Sequence, residues 1–454
     1  MRIYIKKYFI GRSLTMVTQN RRRVHIYSLL FLFALISKTV LYAQHHNLGN
    51  DLLQPALVNA FYEQRKGQPF WFGESTEKNP LRNKLVSLIM NRCPAQGLND
   101  RKYLSKLFSK GIASLCIELP PDSMMIYDYI YTDAALSYFK DLYMGVGISE
   151  KISNDEISGK YKTIDDVYLL NELTYANTAD MLEGVVDILE TKTEDYCLLK
   201  GALREQLDSG NIYKIQELSH ALNYYRWMHH FHFEKFIVVN IVSTELSYYE
   251  QDSIKLTMRV VVGKPSIRTP RFATFCDQVV LYPYWNVPKS IAVNEIFPLV
   301  KRNPALLNAL NMQVINSKGC VVNPENIHWK SFTGNSFPYR FRQSTGCDNA
   351  LGIIKFNLTS PFNVYLHDTN FKLAFNSSYR FYSHGCIRVQ KPVDLANALL
   401  EEKLDSAFLE KCVKGQQSVI KKINEPVPVF ILYMTVDIGP DGIIHYYPDV
   451  YHIL

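Results

Sequence analysis

Low-complexity tracts, internal repeats and long charged tails are all missing from the 454 residues, which excludes fibrous, solenoid and disordered classes. Beyond residue 43 no apolar stretch is long enough to cross a bilayer. Acidic residues are absent from positions 1–43, which hold eight Lys/Arg, whereas the remainder carries 42 basic against 43 acidic side chains. The formal net charge of +7 is therefore a property of the leader. The bulk of the protein gives no electrostatic reason to expect a nucleic-acid partner.

Cysteine is sparse, with eight in the chain. If one acts as a nucleophile, seven remain, so this is not a fully paired disulfide scaffold. Cys320 and Cys347 flank a polar, aromatic segment and are positioned in sequence to clip it.

The basic leader has the layout of a secretory signal. Arg21–Arg23 precede an apolar run from Ile26 to Ile36, and small Ala43 precedes Gln44. Residues 1–43 are expected to be a signal peptide, with export to the periplasm or cell envelope and no stable membrane span after cleavage. Leu41 is bulky for its place before the cleavage point, so a retained anchor is the alternative. Met16 is an alternative start.

From about residue 50 to 225 apolar residues recur at helical spacing, as in Leu53, Leu57, Ala60 and Phe61, then Leu81, Leu85, Leu88 and Ile89. The strongest pattern runs from Asp122 to Met144, after Pro120-Pro121 and before Gly145, with Ile126, Ile130, Ala134 and Tyr138 on one stripe. Its aromatic residues read as core. After Tyr225 the texture changes: "FIVVNIVSTELSYYE" and "SIKLTMRVVVG", separated by "QD", predict a hairpin. Further strands are expected in "DQVVLYPYW", "GIIKFNL", "FNVYLH", "PVFILYMTVDI" and "GIIHYYP", and a helix in "KPVDLANALLEEKL". The fold class is α+β, with a helical domain at 44–228 and a mostly β domain at 229–454. The segment 323–348, rich in Gly, Pro and aromatic residues, breaks the strand pattern and is a candidate cap.

The densest chemistry lies in "FYSHGCIRV", 381–389. A thiolate attacks carbonyls well, but a free cysteine needs a base near neutral pH. His384 lies two residues before Cys386 and His367 nineteen before it. If "FNVYLH" neighbours the strand ending at Ser383, His367 reaches Cys386 across the ladder. In an extended segment His384 and Cys386 share a face. The amides of Gly385 and Cys386 suit an oxyanion, and the fork of Arg388 suits a substrate carboxylate. Three alternatives stay open on these residues alone. Cys386 is a buried core thiol, or a nucleophile, or one of a zinc-binding set with His367, Asp368 and His384. No second Cys or His pair with zinc spacing accompanies them.

His367, fifteen intervening residues and then Ser383-His384-Gly385-Cys386-Ile387-Arg388 resemble the signature of the L,D-transpeptidase family with a YkuD-type catalytic domain. The likeness extends to the large periplasmic branch that carries an N-terminal scaffold domain, through "FYEQRKGQPFWF", "ALNYYRWM", "VVVGKPSIRTP", "YPYWNVPKSIAVNEIFP", "NALGIIKF", "VYLHDT" and the closing "PVPVFILYMTVDIGPDGIIHYYPDVY". The resemblance implies that Cys386 is the nucleophile, that His367 is the base and that the backbone carbonyl of Asp368 orients it. It implies that the Gly385 and Cys386 amides form the oxyanion site. Substrate contacts would come from Ser383, His384, Arg388, Trp285, Asn349 and Tyr365. It further implies peptidoglycan stem peptides as donor and acceptor, and no metal or organic cofactor. Two departures stand out. Residues 150–220 lack the pattern of a small peptidoglycan-binding module, and Cys347 replaces a common proline. Open alternatives are a hydrolase using the same thioester, a zinc peptidase and a non-catalytic wall-binding protein.

Overall fold

The computed structural model describes residues 51–72, 78–109, 121–148, 152, 155–334, 336–411 and 416–453. The leader, with its signal and anchor alternatives, lies outside the described residues. Among the described residues no helix is long and apolar enough to cross a membrane.

A helical region precedes a sheet-rich one. Helices α1 (Pro55–Gln64), α2 (Lys78–Arg92), α3 (Asp100–Ser109), α4 (Pro121–Met144), α5 (Asp155–Tyr175), α6 (Ala179–Leu189), α7 (Glu194–Ser209) and α8 (Ile212–His229) come first. The chain groups into two compact units that share these helices. One comprises residues up to Ile89, Arg101–Tyr138 and Leu170–Glu183, and the other Met90–Asp100, Phe139–Leu169 and Gly184 onward.

The first unit is organised around a carboxylate. Asp128 on α4 is fully buried. Its two oxygens accept from the Phe70, Trp71 and Phe72 N–H groups, each at 2.8 Å, and from the Tyr62 hydroxyl. A loop whose backbone donors would otherwise be buried unpaired is thereby fixed on the helix. Ile130, Ala134 and Tyr138, from the stripe read in the sequence, are buried beside it.

In the second unit, nine strands form one sheet: β1 (Lys235–Asn240), β2 (Glu245–Glu250), β3 (Ser253–Gly263), β4 (Phe272–Leu281), β9 (Ile354–Leu358), β10 (Leu366–His367), β11 (Phe381–Ser383), β12 (Ile387–Val389) and β13 (Val419–Leu432). Their order is β11-β3-β12-β10-β9-β4-β13-β1-β2, and β2 also pairs with β3. Eight strands thus close on themselves, with β11 outside the ring, and closure leaves few unpaired edges. Alternation along β1 serves two cores. Ile237 and Val239 join the cluster of Val260, Leu366, Ile387 and Ile431, while Phe236 and Val238 face Trp227 and Phe430 in the layer formed with α7 and α8.

The run expected to be one strand before "QD" is two. β1 and β2 turn at 241–244, with Thr244 at φ 55°, and the second turn falls at Gln251-Asp252. No Gly or Pro marks the first turn, and its β-branched residues read as strand.

Residues 285–343 build a smaller sheet, β5 (Trp285–Asn286), β8 (Arg340–Gln343), β6 (Met312–Ile315) and β7 (Val321–Val322), in that order. It has its own core of Phe297, Val300, Leu307, Val314, Trp329 and Phe341. The candidate capping segment is therefore part of a packed subdomain. A short pair, β14 (Val436–Ile438) and β15 (Ile444–Tyr446), follows β13.

The suggested Cys320–Cys347 clip does not form. Cys320 is a free thiol, whereas Cys347 is in a disulfide whose partner lies outside the described residues. Sequence proximity to one loop did not reveal which cysteine the fold brings near.

Replacing Asp128 by Ala leaves three backbone donors unpaired and should lower the stability of the first unit by about 3 kcal/mol. The check is an earlier midpoint in urea denaturation, with D128N, which keeps one acceptor oxygen, falling between.

Candidate active site

The site is set by two ladders that share β10. β10 pairs parallel with β12, matching Leu366 to Ile387 and His367 to Arg388, and antiparallel with β9, matching His367 to Lys355. The Ile387 N–H donates to the Tyr365 carbonyl at 3.2 Å, which puts Tyr365 level with Cys386. His367 and Cys386 thus stand two residues apart in register, on the same face of neighbouring chain segments. The strand beside His367 is the one that follows Cys386, not the one ending at Ser383, because β11 pairs with β3 instead.

Between β11 and β12 the chain does not continue as a strand. Gly385 has φ 102°, a conformation open to glycine, and turns His384 away from Cys386. The expected shared face is absent. His384 is exposed, with Nε2 2.8 Å from Glu295 Oε1 of the small subdomain, while Cys386 is half-buried.

Ser383 is buried, and its hydroxyl donates to the Cys386 carbonyl at 2.6 Å and accepts from the Gly385 N–H at 3.1 Å. The Gly385 amide is therefore engaged by a side chain, which corrects the two-amide oxyanion site. The Cys386 N–H has no hydrogen-bond partner among the described residues. The Gly385 carbonyl accepts from the Thr269 hydroxyl at 2.9 Å, and that oxygen accepts from the Gly263 N–H at 2.9 Å. Tyr451 completes the brace: its hydroxyl donates to the Gly263 carbonyl at 2.5 Å and accepts from the Thr269 N–H at 3.3 Å.

Around the thiol, the Tyr365 hydroxyl and backbone N–H both donate towards Cys386 Sγ, and the Trp285 indole donates to the Tyr365 oxygen. Sγ also lies 3.8 Å from the Asn363 carbonyl. Burial pushes the Cys386 thiol above its ordinary value, against the opposing pull of these donors and of Lys355 and Arg388. The His367 imidazole is buried, and that burial, with Arg388 and Lys355 nearby, depresses its pKa to about 3. The resting pair is a neutral thiol and a neutral imidazole.

His367 Nδ1 donates to the Asp368 carbonyl at 2.5 Å, which fixes the tautomer and leaves Nε2 as the basic atom. The buried Asp368 carboxylate accepts from the Ile353 N–H at 3.0 Å and pairs with Lys372. Gly352 is required here, since a Cβ would lie 2.2 Å from Asp368 Oδ2. His367, Asp368, His384 and Cys386 do not converge, because each polar group points at a different partner. Among the described residues no group of three His, Cys, Asp or Glu side chains could hold a metal ion.

Asn349 does not face substrate. It is fully buried, its amide donating to the carbonyls of Pro283 at 3.1 Å and Ser344 at 2.8 Å, and its oxygen accepting from the Leu351 N–H at 2.8 Å. Of the two aromatic residues expected as substrate contacts, Tyr365 lies against the thiol itself and Trp285 against the Tyr365 hydroxyl. Arg388 lies in register with His367, and its Nε is buried without a partner. The sequence reading assigned nothing to Thr269 or Lys355, although both lie inside quoted motifs.

Fold and site together define a sheet-rich domain that sets a thiol and an imidazole on one face of neighbouring parallel segments. A model of the L,D-transpeptidase catalytic domain (YkuD) matches residues 234–427, and one of the Scaffold domain matches 56–203. A Haemophilus influenzae protein named "Putative L,D-transpeptidase" is 29% identical over 412 residues, covering 89% of this chain and 80% of its own length. The solved L,D-transpeptidase from Mycobacterium smegmatis is 12% identical with TM-score 0.20, covering 44% of this chain and 58% of that one. The catalytic domain from the Enterococcus faecium L,D-transpeptidase is 14% identical with TM-score 0.20, covering 44% and 99%. The chain thus carries an L,D-transpeptidase catalytic domain of the YkuD type together with a Scaffold domain.

Two outcomes follow. T269V removes the brace on the Gly385 carbonyl while keeping side-chain volume. It should slow modification of Cys386 roughly 10-fold or more with circular dichroism unchanged, since small displacements of reacting groups are costly. With both groups neutral at rest, Cys386 alkylation by iodoacetamide should climb about tenfold per unit from roughly pH 6 to 8, tracking the thiolate fraction. A flat rate across that range would reveal a preformed thiolate–imidazolium pair instead.

Proposed function

We propose that this chain is an exported peptidoglycan L,D-transpeptidase that joins the third residues of two stem peptides through a Cys386 thioester. The observation that carries the reading is the placement of Cys386, just before β12, beside His367 on β10, with the Tyr365 hydroxyl as a donor on the sulfur and Trp285 as a donor on the Tyr365 oxygen. It is supported by the domain matches and by the relative's name.

In the first half-reaction Sγ attacks the carbonyl of the third, L-configured centre of a tetrapeptide stem. His367 Nε2 takes the thiol proton as the S–C bond forms. The Cys386 N–H donates to the developing oxyanion, and His367 returns the proton to the departing amine as the C–N bond breaks, releasing D-alanine. In the second half, the side-chain amine of a neighbouring stem attacks the thioester. His367 takes its proton, a C–N bond forms, and the S–C bond breaks to regenerate the thiol. The Tyr365 hydroxyl favours the thiolate whenever it forms, and the Asp368 carbonyl keeps His367 in the working tautomer.

In this reading residues 1–43 direct export, 44–228 form the scaffold, 229–454 the catalytic part, and the subdomain containing 323–348 caps a substrate path. No metal or organic cofactor enters the chemistry. Ser383 shapes the nucleophile turn, His384 ties that turn to the cap through Glu295, and Arg388 holds a substrate carboxylate.

Purified protein given defined tetrapeptide muropeptides should yield dimers linked through third residues, read by mass spectrometry, with loss of D-alanine. C386A should form neither acyl-enzyme nor dimer, and H367A should lower turnover roughly 100-fold or more. Trimmed monomers without dimers would assign the thioester to hydrolysis and overturn transpeptidation.

A further inference from the structure

Three strands set three side chains in one row. Lys355 on β9 is the antiparallel partner of His367 on β10, and Arg388 on β12 is its parallel partner. In-register neighbours project to the same face of a sheet. Two cations therefore flank the imidazole, with Tyr365 and Cys386 two residues away on the same face.

Among the described residues no Asp or Glu pairs with either cation. No Asp or Glu acts on the titration of Lys355 or Arg388; for both, burial opposes the charge, and the Cys386 sulfur is the acidic group they share. Lys355 Nζ stands 4.2 Å from the centroid of the Tyr365 ring, so its head is held above the wall of the thiol site. Arg388 Nε is buried without a partner. Two partly buried, like-charged groups destabilise each other unless an anion lies between them.

The spacing suits one. Neighbouring strands lie about 4.8 Å apart, so Lys355 and Arg388 are rooted about 10 Å from each other, and two long side chains can close on a carboxylate. The row lies two residues from Cys386 along β12, about 7 Å, within the span that those side chains can reach back across. When Sγ attacks a stem, the group held three bonds from the scissile carbonyl carbon is the carboxylate of the leaving residue.

We propose that Lys355 and Arg388 form a two-cation clamp for the terminal carboxylate of the leaving residue, so that the enzyme reads a free peptide C-terminus. The inference rests on Cys386 being the nucleophile towards stem peptides. A chain that continues past that residue, or ends in an amide, leaves both cations without their anion, and a site built for a polar partner rejects ligands that lack it. The clamp thereby fixes the position of the scissile bond one residue from the end.

The experiment uses the protein with its leader removed and three versions of one tetrapeptide donor: the free acid, the C-terminal amide, and a donor amidated only on the side-chain carboxylate of its third residue. Acyl-enzyme formation on Cys386 is followed by intact-protein mass spectrometry. The wild type should acylate from the free acid at least about 100-fold faster than from the C-terminal amide, with the side-chain amide close to the free acid. K355M, which keeps an apolar stem over the Tyr365 ring, should bring the acid-to-amide ratio below about 10, and K355R should restore most of it. Equal wild-type rates on acid and C-terminal amide would overturn the clamp whether or not the variants fold, as would a wild-type ratio in folded K355M. A loss confined to the side-chain amide would overturn the assignment to the leaving residue. No acylation from any donor would refute the nucleophile reading and the clamp with it, an outcome distinct from acylation without discrimination.

Discussion

The parallel pairing of β10 with β12 is the constraint on which the site depends. It decides that His367 faces Arg388, that Tyr365 is level with Cys386, and that the imidazole and thiol share a face. Two parallel strands cannot be joined by a tight turn; the chain must leave and return in the same direction. Here it passes through the turn Lys372–Asn376, adds β11 to the far side of β3, and comes back through Gly385. The interval between His367 and Cys386 is the length of that excursion.

Burial sets the electrostatics. Water is excluded from His367, so its imidazole stays neutral far below the ordinary histidine range, and the same exclusion keeps Cys386 a thiol. A pair that is neutral at rest does not stabilise the substrate-free state as an ion pair would. In the proposed reaction the Tyr365 hydroxyl and the Cys386 amide would meet charge only as it develops, which is where fixed dipoles act on a rate. Arg388 and Lys355 add to the depression of His367 that burial begins.

Much of this was legible in the chain. The helix over Pro121–Met144, the strand at Ile354–Leu358 and the helix at Pro392–Leu399 follow from periodicity, and the grouping of His367 with Cys386 is implied by the resemblance to the family signature. What sequence could not supply was register. Asn349 lies in a motif beside the catalytic strands, but its amide is spent on the backbone at 283 and 344, a contact across 66 residues. The Ser383 hydroxyl captures the Gly385 amide because that glycine turns back, and a linear reading places both amides on the substrate. Lys355 and Thr269 look like an ordinary strand lysine and a loop threonine until the ladders bring them beside His367 and Gly385. The turn at 241–244 is hidden because residues that favour strands also occupy it.

The brace on Gly385 gives the order of synthesis a role. Tyr451 lies 65 positions beyond Cys386 in the sequence, yet its hydroxyl holds Gly263 and Thr269 behind the turn at Gly385. β13, which seats between β4 and β1, ends at Leu432. A nascent chain therefore carries Cys386 past the ribosome before the parts that close the ring and support the turn exist. The turn that presents Cys386 is thus complete only once β13 is seated and Tyr451 has folded back onto Gly263, so this site forms late in the folding of its unit.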